Sequence, residues 1–237
     1  MRDIKEKEYS HEKLGSIFMH SLSDYDTKRR VEVLVDSFLG NYNLEGRRVI
    51  DVGCGFGFFS KRLTEYGAHV TACDLGQNLV NQTKQLVGCN GIVADCMELD
   101  QYFEPESFDI VLSSECIEHT PDPETALIQM IKLLKPGGVL VISTPNVLWW
   151  PVVKAASLIK LRPYEGYENF SSWRSLRRIM MENKMEVIKE AGLHLFPFQF
   201  GLHRLSRWID LNLQVLRPLM INLCMLSRKV VQEERKY

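Results

Sequence analysis

Residues 49–60 read VIDVGCGFGFFS: an apolar run from Val49 to Val52 opens into three alternate glycines, Gly53, Gly55 and Gly57, and resumes at Phe58 as a helix-like stretch. A short buried strand that ends in glycines and leads into a helix is a place where backbone comes close to a ligand, because glycine adds no Cβ and the following helix offers unpaired N–H groups. In an open parallel sheet, ligands sit at the carboxyl ends of the strands, which puts this turn at the expected site. Dinucleotide binding wants G-x-G-x-x-G; here the third glycine's place is taken by Phe58, so the spacing disfavours a dehydrogenase.

Working outward, strand-like runs alternate with helix-like segments. The spacing predicts strands at 47–53, 69–74, 91–96, 108–114 and 138–144, with helices at 58–66, 77–87 and 122–134 between them. Asp122 is placed to cap the last of these helices, with Pro123 at its first position and Lys135-Pro136-Gly137-Gly138 ending it. Upstream, Val31, Leu34, Val35 and Phe38 form the stripe of an amphipathic helix over about 24–40 that caps the sheet or the pocket. Downstream, 145–173 is rich in aromatics (Trp149, Trp150, Tyr164, Tyr167, Trp173) and reads as a substrate-facing lid. A helical stretch follows over about 172–190, and a last β-prone run lies at 218–230.

The acidic residues strengthen the ligand reading. Asp74 ends the second predicted strand, where a carboxylate can accept from two ribose hydroxyls, and Asp95 lies at the end of the third, placed to meet an adenine amino group with Cys96 and Met97 beside it. Asp51 precedes the glycines. A helix cap explains one such acid; three in register point to a nucleoside-bearing cofactor.

Over residues 45–146 the chain resembles the class I S-adenosylmethionine-dependent methyltransferases. VIDVGCGFGFFS looks like their first motif, VTACDLG their ribose motif, VADCMEL their adenine motif, FDIVLSSECIEHTPDP the fourth-strand motif and LLKPGGVLVISTPN the one that follows the next helix. The resemblance implies S-adenosyl-L-methionine as cofactor and S-adenosyl-L-homocysteine as product. It implies that Asp51, Gly53 and Gly55 border the methionine part, Asp74 with Leu75 the ribose, Asp95 and Cys96 the adenine, and Ser114 or Glu115 the sulfonium side. The fold it implies is a Rossmann-like α/β domain: a seven-stranded, mostly parallel sheet with one antiparallel strand, helices on both faces, an N-terminal cap helix and a lid inserted after the fifth strand. The expected division is 1–44 cap, 45–146 cofactor core, 147–192 lid and helix, and 193–237 final strands.

After the fourth strand, Glu115, Glu118 and His119 fall on one face if the segment is helical. They read either as a divalent-metal site or as a catalytic group with His119 as general base toward a hydroxyl. The segment E-x-x-E-H-x-P-D-P is most similar to the O-methyltransferases of ubiquinone biosynthesis. The expected activity is O-methylation of a small molecule. The alternatives are N-methylation of a small amine and a non-catalytic cofactor-binding subunit. Arg162, Arg174, Arg177 and Arg178 are candidate holders of an anionic group on the acceptor, although Arg177 and Arg178 also suit a solvated helix face.

The bulk composition is that of a soluble globular protein: 237 residues, 45% hydrophobic and 25% charged, net charge −1, with no secretory signal and no apolar run near the roughly 18 residues that span a bilayer. A cytoplasmic location follows. Six cysteines without C-x-x-C spacing read as reduced thiols. The charge is uneven, with 14 Lys+Arg against 22 Asp+Glu in 1–150 but 15 against 8 in 151–237. That imbalance reads as a solvated basic face or as attraction to an anionic substrate or membrane surface. The basic, apolar segment 151–162 reads as an amphipathic lid helix packed on the domain or as a helix in peripheral contact with a membrane. Nucleic acid is not expected as a partner, since no Asn-Pro-Pro-Tyr/Phe tetrapeptide follows the fourth strand and no basic stripe is interleaved with aromatics.

Overall fold

The computed structural model describes residues 24–158, 167–196 and 201–231. Seven strands form one sheet: β1 Arg48–Val52, β2 His69–Asp74, β3 Asn90–Val93, β4 Phe108–Ser114, β5 Leu134–Pro145, β6 Met185–Leu193 and β7 Asn222–Lys229. Their spatial order is β3-β2-β1-β4-β5-β7-β6, and only β7 runs antiparallel to its neighbours. The order of strands reverses between β1 and β4, one half of the sheet growing outward from β1 to β3 and the other from β4, so the crevice beyond their carboxyl ends is the switch point where α/β sheets bind ligands.

Seven α-helices accompany the sheet in the described residues: α1 Asp24–Val31, α2 Phe58–Glu65, α3 Gln77–Val87, α4 Pro123–Leu133, α5 Trp150–Leu158, α6 Trp173–Glu182 and α7 His203–Asn212. Alternation along the central strands sorts the core into two layers. Ile50, Val52, Leu140, Ile142, Leu223 and Met225 pack with α4 and α6, while Val49, Val139, Val141, Cys224 and Leu226 pack with α2 and the segment after α1. The cap helix departs from ordinary α geometry: Glu32–Ser37 continues α1 as a π-helical turn, with the Phe38 N–H reaching the Val33 carbonyl. The wider turn still buries the expected stripe at Leu34, Val35 and Phe38. Asp122 caps α4 as its sequence suggests, accepting from the N–H groups of Glu124 and Thr125.

Four expectations change. The third strand ends at Val93 rather than 96, because the Asp95 carboxylate turns back to accept from the Met97 N–H and makes a bend of the residues that would extend it. The fifth strand is longer than 138–144, running from Leu134 to Pro145. The helical stretch expected over 172–190 stops at Glu182; Lys184 takes a left-handed backbone (φ 57°) and the chain turns into β6 at Met185, so the lid-and-helix segment gives up its last residues to the sheet. The last strand expected at 218–230 is present as β7 but starts only at Asn222, because residues 214–219 form a 3-10 turn before it, and α7 accompanies the strand in the 193–237 segment. Arg162, Tyr164 and the end of the 151–162 segment lie outside the described residues. Among those described, no helix is long and apolar enough to cross a membrane.

Candidate active site

The carboxyl ends of β1 and β2 build a turn held by side chains. Gly53 is left-handed (φ 77°), and a Cβ there would lie 2.7 Å from Cβ and Sγ of Cys116, so only glycine lets the turn pass under the residues that follow β4. Gly57, also left-handed, sits at the N-terminus of α2 against Thr83, whose hydroxyl donates to the Gly55 carbonyl at 3.1 Å. Asp74 binds both walls of the cleft, accepting from the Gly55 N–H at 2.9 Å and the Gly76 N–H at 3.0 Å. Asp51 is buried and accepts from the Ser60 hydroxyl at 2.6 Å. Burial pushes its carboxyl up to about 7 against the opposing pull of the Ser60 hydrogen bonds. Its carboxylate therefore ties β1 to the first turn of α2. Asp95 and Cys96 lie beyond β3, both buried.

Beyond β4 the chain turns sharply. Glu115 has a left-handed backbone (φ 52°), and its carboxylate accepts from Ser143 Oγ at 2.8 Å and Asn222 Nδ2 at 2.9 Å. Glu118 and His119 lie in a 3-10 turn, Ile117–His119; Glu118 is buried, with His119 Nε2 3.9 Å from its Oε1. Nδ1 of His119 is 3.2 Å from the Tyr167 carbonyl, a partner that selects the tautomer with its proton on Nδ1 and its basic lone pair on Nε2. Burial raises the Glu118 carboxyl well above the usual range, and neighbouring Glu115 adds to the rise. Burial also raises Glu115, with Arg30 acting against it. The left-handed residue at 115 breaks the helical face assumed for 115, 118 and 119. Among the described residues, no group of three or more His, Cys, Asp and Glu side chains is arranged to hold a metal ion. Glu115, Glu118 and His119 do not form such a group.

A family model described as a methyltransferase domain matches residues 50–142. A ubiquinone biosynthesis O-methyltransferase of Colwellia psychrerythraea is 30% identical over 191 residues, covering 75% of each chain. One of the same name from Xylella fastidiosa is 34% identical over 171 residues, 69% of this chain and 67% of that one. The chain belongs to the class I S-adenosylmethionine-dependent methyltransferases. Its fold agrees with that of the N-methyltransferase NodS from Bradyrhizobium japonicum in complex with S-adenosyl-L-homocysteine: TM-score 0.62, 14% identity, covering 87% of this chain and 88% of that one. The methyltransferase turn suits the cofactor of its family, since a Cβ placed on Gly55 would meet no heavy atom within 4 Å and the outer side of the cleft is open.

The methyltransferase site also contains residues that local pattern does not reveal. Arg30 of the cap helix is buried; its guanidinium donates to Ser114 Oγ at 3.0 Å and pairs with Asp26 at 2.9 Å. Ser114 in turn shares a hydrogen bond with Ser143 at 2.9 Å, which places a fixed cation at the carboxyl end of β4. The Asp26–Arg30 spacing of four residues was visible, but it looks like an ordinary exposed helix pair. Asn222, the first residue of β7, reaches Glu115 because β7 pairs antiparallel with β5. Two of the arginines expected for an acceptor anion are engaged elsewhere: Arg177 forms a two-point pair with Glu190, and Arg178 pairs with Glu124 and Glu182. Of the aromatics expected to form a lid, Trp149 donates from its indole to the Leu219 carbonyl and Trp173 packs on the core. Trp150 lines a cavity of about 540 Å³ with Pro121, Glu124, Asn169 and Phe170, alongside the turn that carries His119.

Proposed function

We propose that this methyltransferase transfers the methyl group to a hydroxyl of a small molecule, of the kind implied by the name of its ubiquinone-biosynthesis relatives, with His119 as base. The observation that carries the reading is the Glu118–His119 pair: a buried carboxyl 3.9 Å from an imidazole whose other nitrogen is fixed on a backbone carbonyl. When bound, the cofactor supplies an electrophilic methyl group on a sulfonium; the rest is alignment, exclusion of water and removal of one proton.

In this reading Gly53, Gly55 and Leu75 present backbone to the cofactor, Asp74 accepts from the ribose, and Asp95 and Cys96 border the adenine. Asp51 braces the turn from beneath. Arg30 and Ser114 meet the methionine carboxylate, a buried cation being the natural partner for an anion drawn out of water. His119 takes the acceptor's hydroxyl proton on Nε2. Glu118, buried 3.9 Å from that nitrogen, keeps the ring in place as it takes the proton. Glu115 holds the turn through Ser143 and Asn222, and the cavity beside Trp150 receives the acceptor.

The test is methyl transfer from labelled S-adenosylmethionine to paired acceptors that differ only in carrying a phenolic hydroxyl or an amine, with products identified by mass spectrometry. Label in an ether supports the proposal; label on nitrogen alone overturns it.

A further inference from the structure

Helix α7, which follows β6, packs across the cap helix rather than over the sheet centre. Tyr25 donates to the His203 carbonyl at 2.8 Å and stacks on its ring with centroids 4.0 Å apart. Between the two helices lies a buried polar cluster. His194, fully buried just past β6 with a left-handed backbone (φ 60°), donates its N–H to Asp210 of α7 at 3.0 Å. Its Nε2 lies 3.0 Å from Asp26 Oδ1, and Nδ1 lies 3.5 Å from the Ser206 hydroxyl. The other oxygen of Asp26 takes Arg30, and Arg29 pairs with Asp210 at 3.5 Å. An unbroken series of polar contacts thus runs from α7 through His194, Asp26 and Arg30 to Ser114 at the end of β4.

Such a cluster is more than packing. Asp26 and Arg30 are both at least nine-tenths buried, and removing one member of a buried pair leaves the other's charge uncompensated. A guanidinium has many rotamers, so the direction of its fork depends on what grips its rear. Asp26 takes one terminal nitrogen of Arg30 while the other reaches Ser114, and His194, itself tied to α7 through Asp210, holds Asp26.

We propose that Asp26 and His194 are positioning residues: braced by α7, they aim Arg30 at the carboxylate of the cofactor's methionine part, so that the far edge of the sheet sets cofactor affinity. The proposal rests on the reading of Arg30 given above. It separates from general stability because the nucleoside part of the cofactor also exists as a ligand without the amino-acid carboxylate.

The experiment is calorimetric titration of the wild type and of Asp26→Asn, His194→Gln and Arg30→Met with S-adenosylhomocysteine and with 5′-methylthioadenosine, which keeps the nucleoside and lacks the amino-acid carboxylate. The expected result is a loss of roughly tenfold or more in S-adenosylhomocysteine affinity in Asp26→Asn and Arg30→Met, and a smaller loss in His194→Gln, whose amide still donates to Asp26. Methylthioadenosine affinity stays within about twofold in all three. If Arg30→Met weakens both ligands equally or neither, the reading of Arg30 fails. If Arg30→Met is selective while Asp26→Asn and His194→Gln are not, the positioning role is overturned and the Arg30 reading stands. Should Asp26→Asn fold poorly, His194→Gln carries the same comparison.

Discussion

The glycine turn and the cap-helix cluster both converge on the carboxyl ends of the central strands, yet they are assembled in opposite ways. The turn, Asp74 and Asp95 come from one stretch of about 50 residues, and each contact, such as Asp74 with Gly55 and Gly76, joins neighbouring strand ends. The second region joins Asp26 to His194 across 168 residues of sequence, through a contact that exists only after β6 and β7 have added to the sheet edge. The first uses backbone conformation that only particular residues tolerate. The second uses ordinary charged residues whose meaning comes from burial. A short motif can therefore announce the cofactor, while the buried groups proposed to tune its binding leave no local pattern.

This contrast can be broken at the turn first. Asp74→Ala removes the acceptor for two backbone N–H groups together with the proposed ribose contact, and cofactor affinity should fall by about 100-fold or more, read by calorimetry. Gly53→Ala places a methyl 2.7 Å from Cys116 in a left-handed conformation. It should cost about 2–4 kcal/mol, visible as a lower melting temperature, and weaken cofactor binding with it.

Asp51 gives a pH test. Its folded-state pKa is raised from 3.8 to about 7, so between those values the folded protein keeps a proton that the unfolded chain has released. Stability of the ligand-free enzyme should then fall as pH rises through that window, by up to about 4 kcal/mol. Asp51→Asn should flatten that slope in denaturant titrations between pH 4 and pH 8. The smallest effect is expected away from both regions: Arg177→Ala breaks an exposed pair with Glu190 and should cost about 1 kcal/mol or less, leaving cofactor affinity unchanged.

Much of the fold was legible because β1, β2, β4 and β5 alternate with helices of clear period, the last of them marked by Asp122 at its start and Lys135-Pro136 past its end. Residues 185–193 were not. MEVIKEAGL has apolar residues that suit either period, and the turn that separates it from α6 depends on Lys184 entering the left-handed region, which no residue type announces. Within the site, the acids at strand ends could be found from spacing. The geometry of 115–119 could not, because Glu115 in a left-handed conformation undoes the helical face that its spacing to Glu118 and His119 suggests. Arg30 was hidden for another reason: a salt bridge at i, i+4 looks the same in sequence whether it is solvated or buried against β4.

The central claim is a division of labour, with the strand ends holding the cofactor and the turn after β4 acting on the acceptor. The most direct test is to measure, on one preparation of His119→Ala, both the dissociation constant for S-adenosylmethionine and the rate of ether formation with a hydroxyl acceptor. The account predicts cofactor affinity within about twofold of the wild type and a rate reduced by roughly 100-fold or more. An unchanged rate, or a loss of cofactor binding, would contradict it.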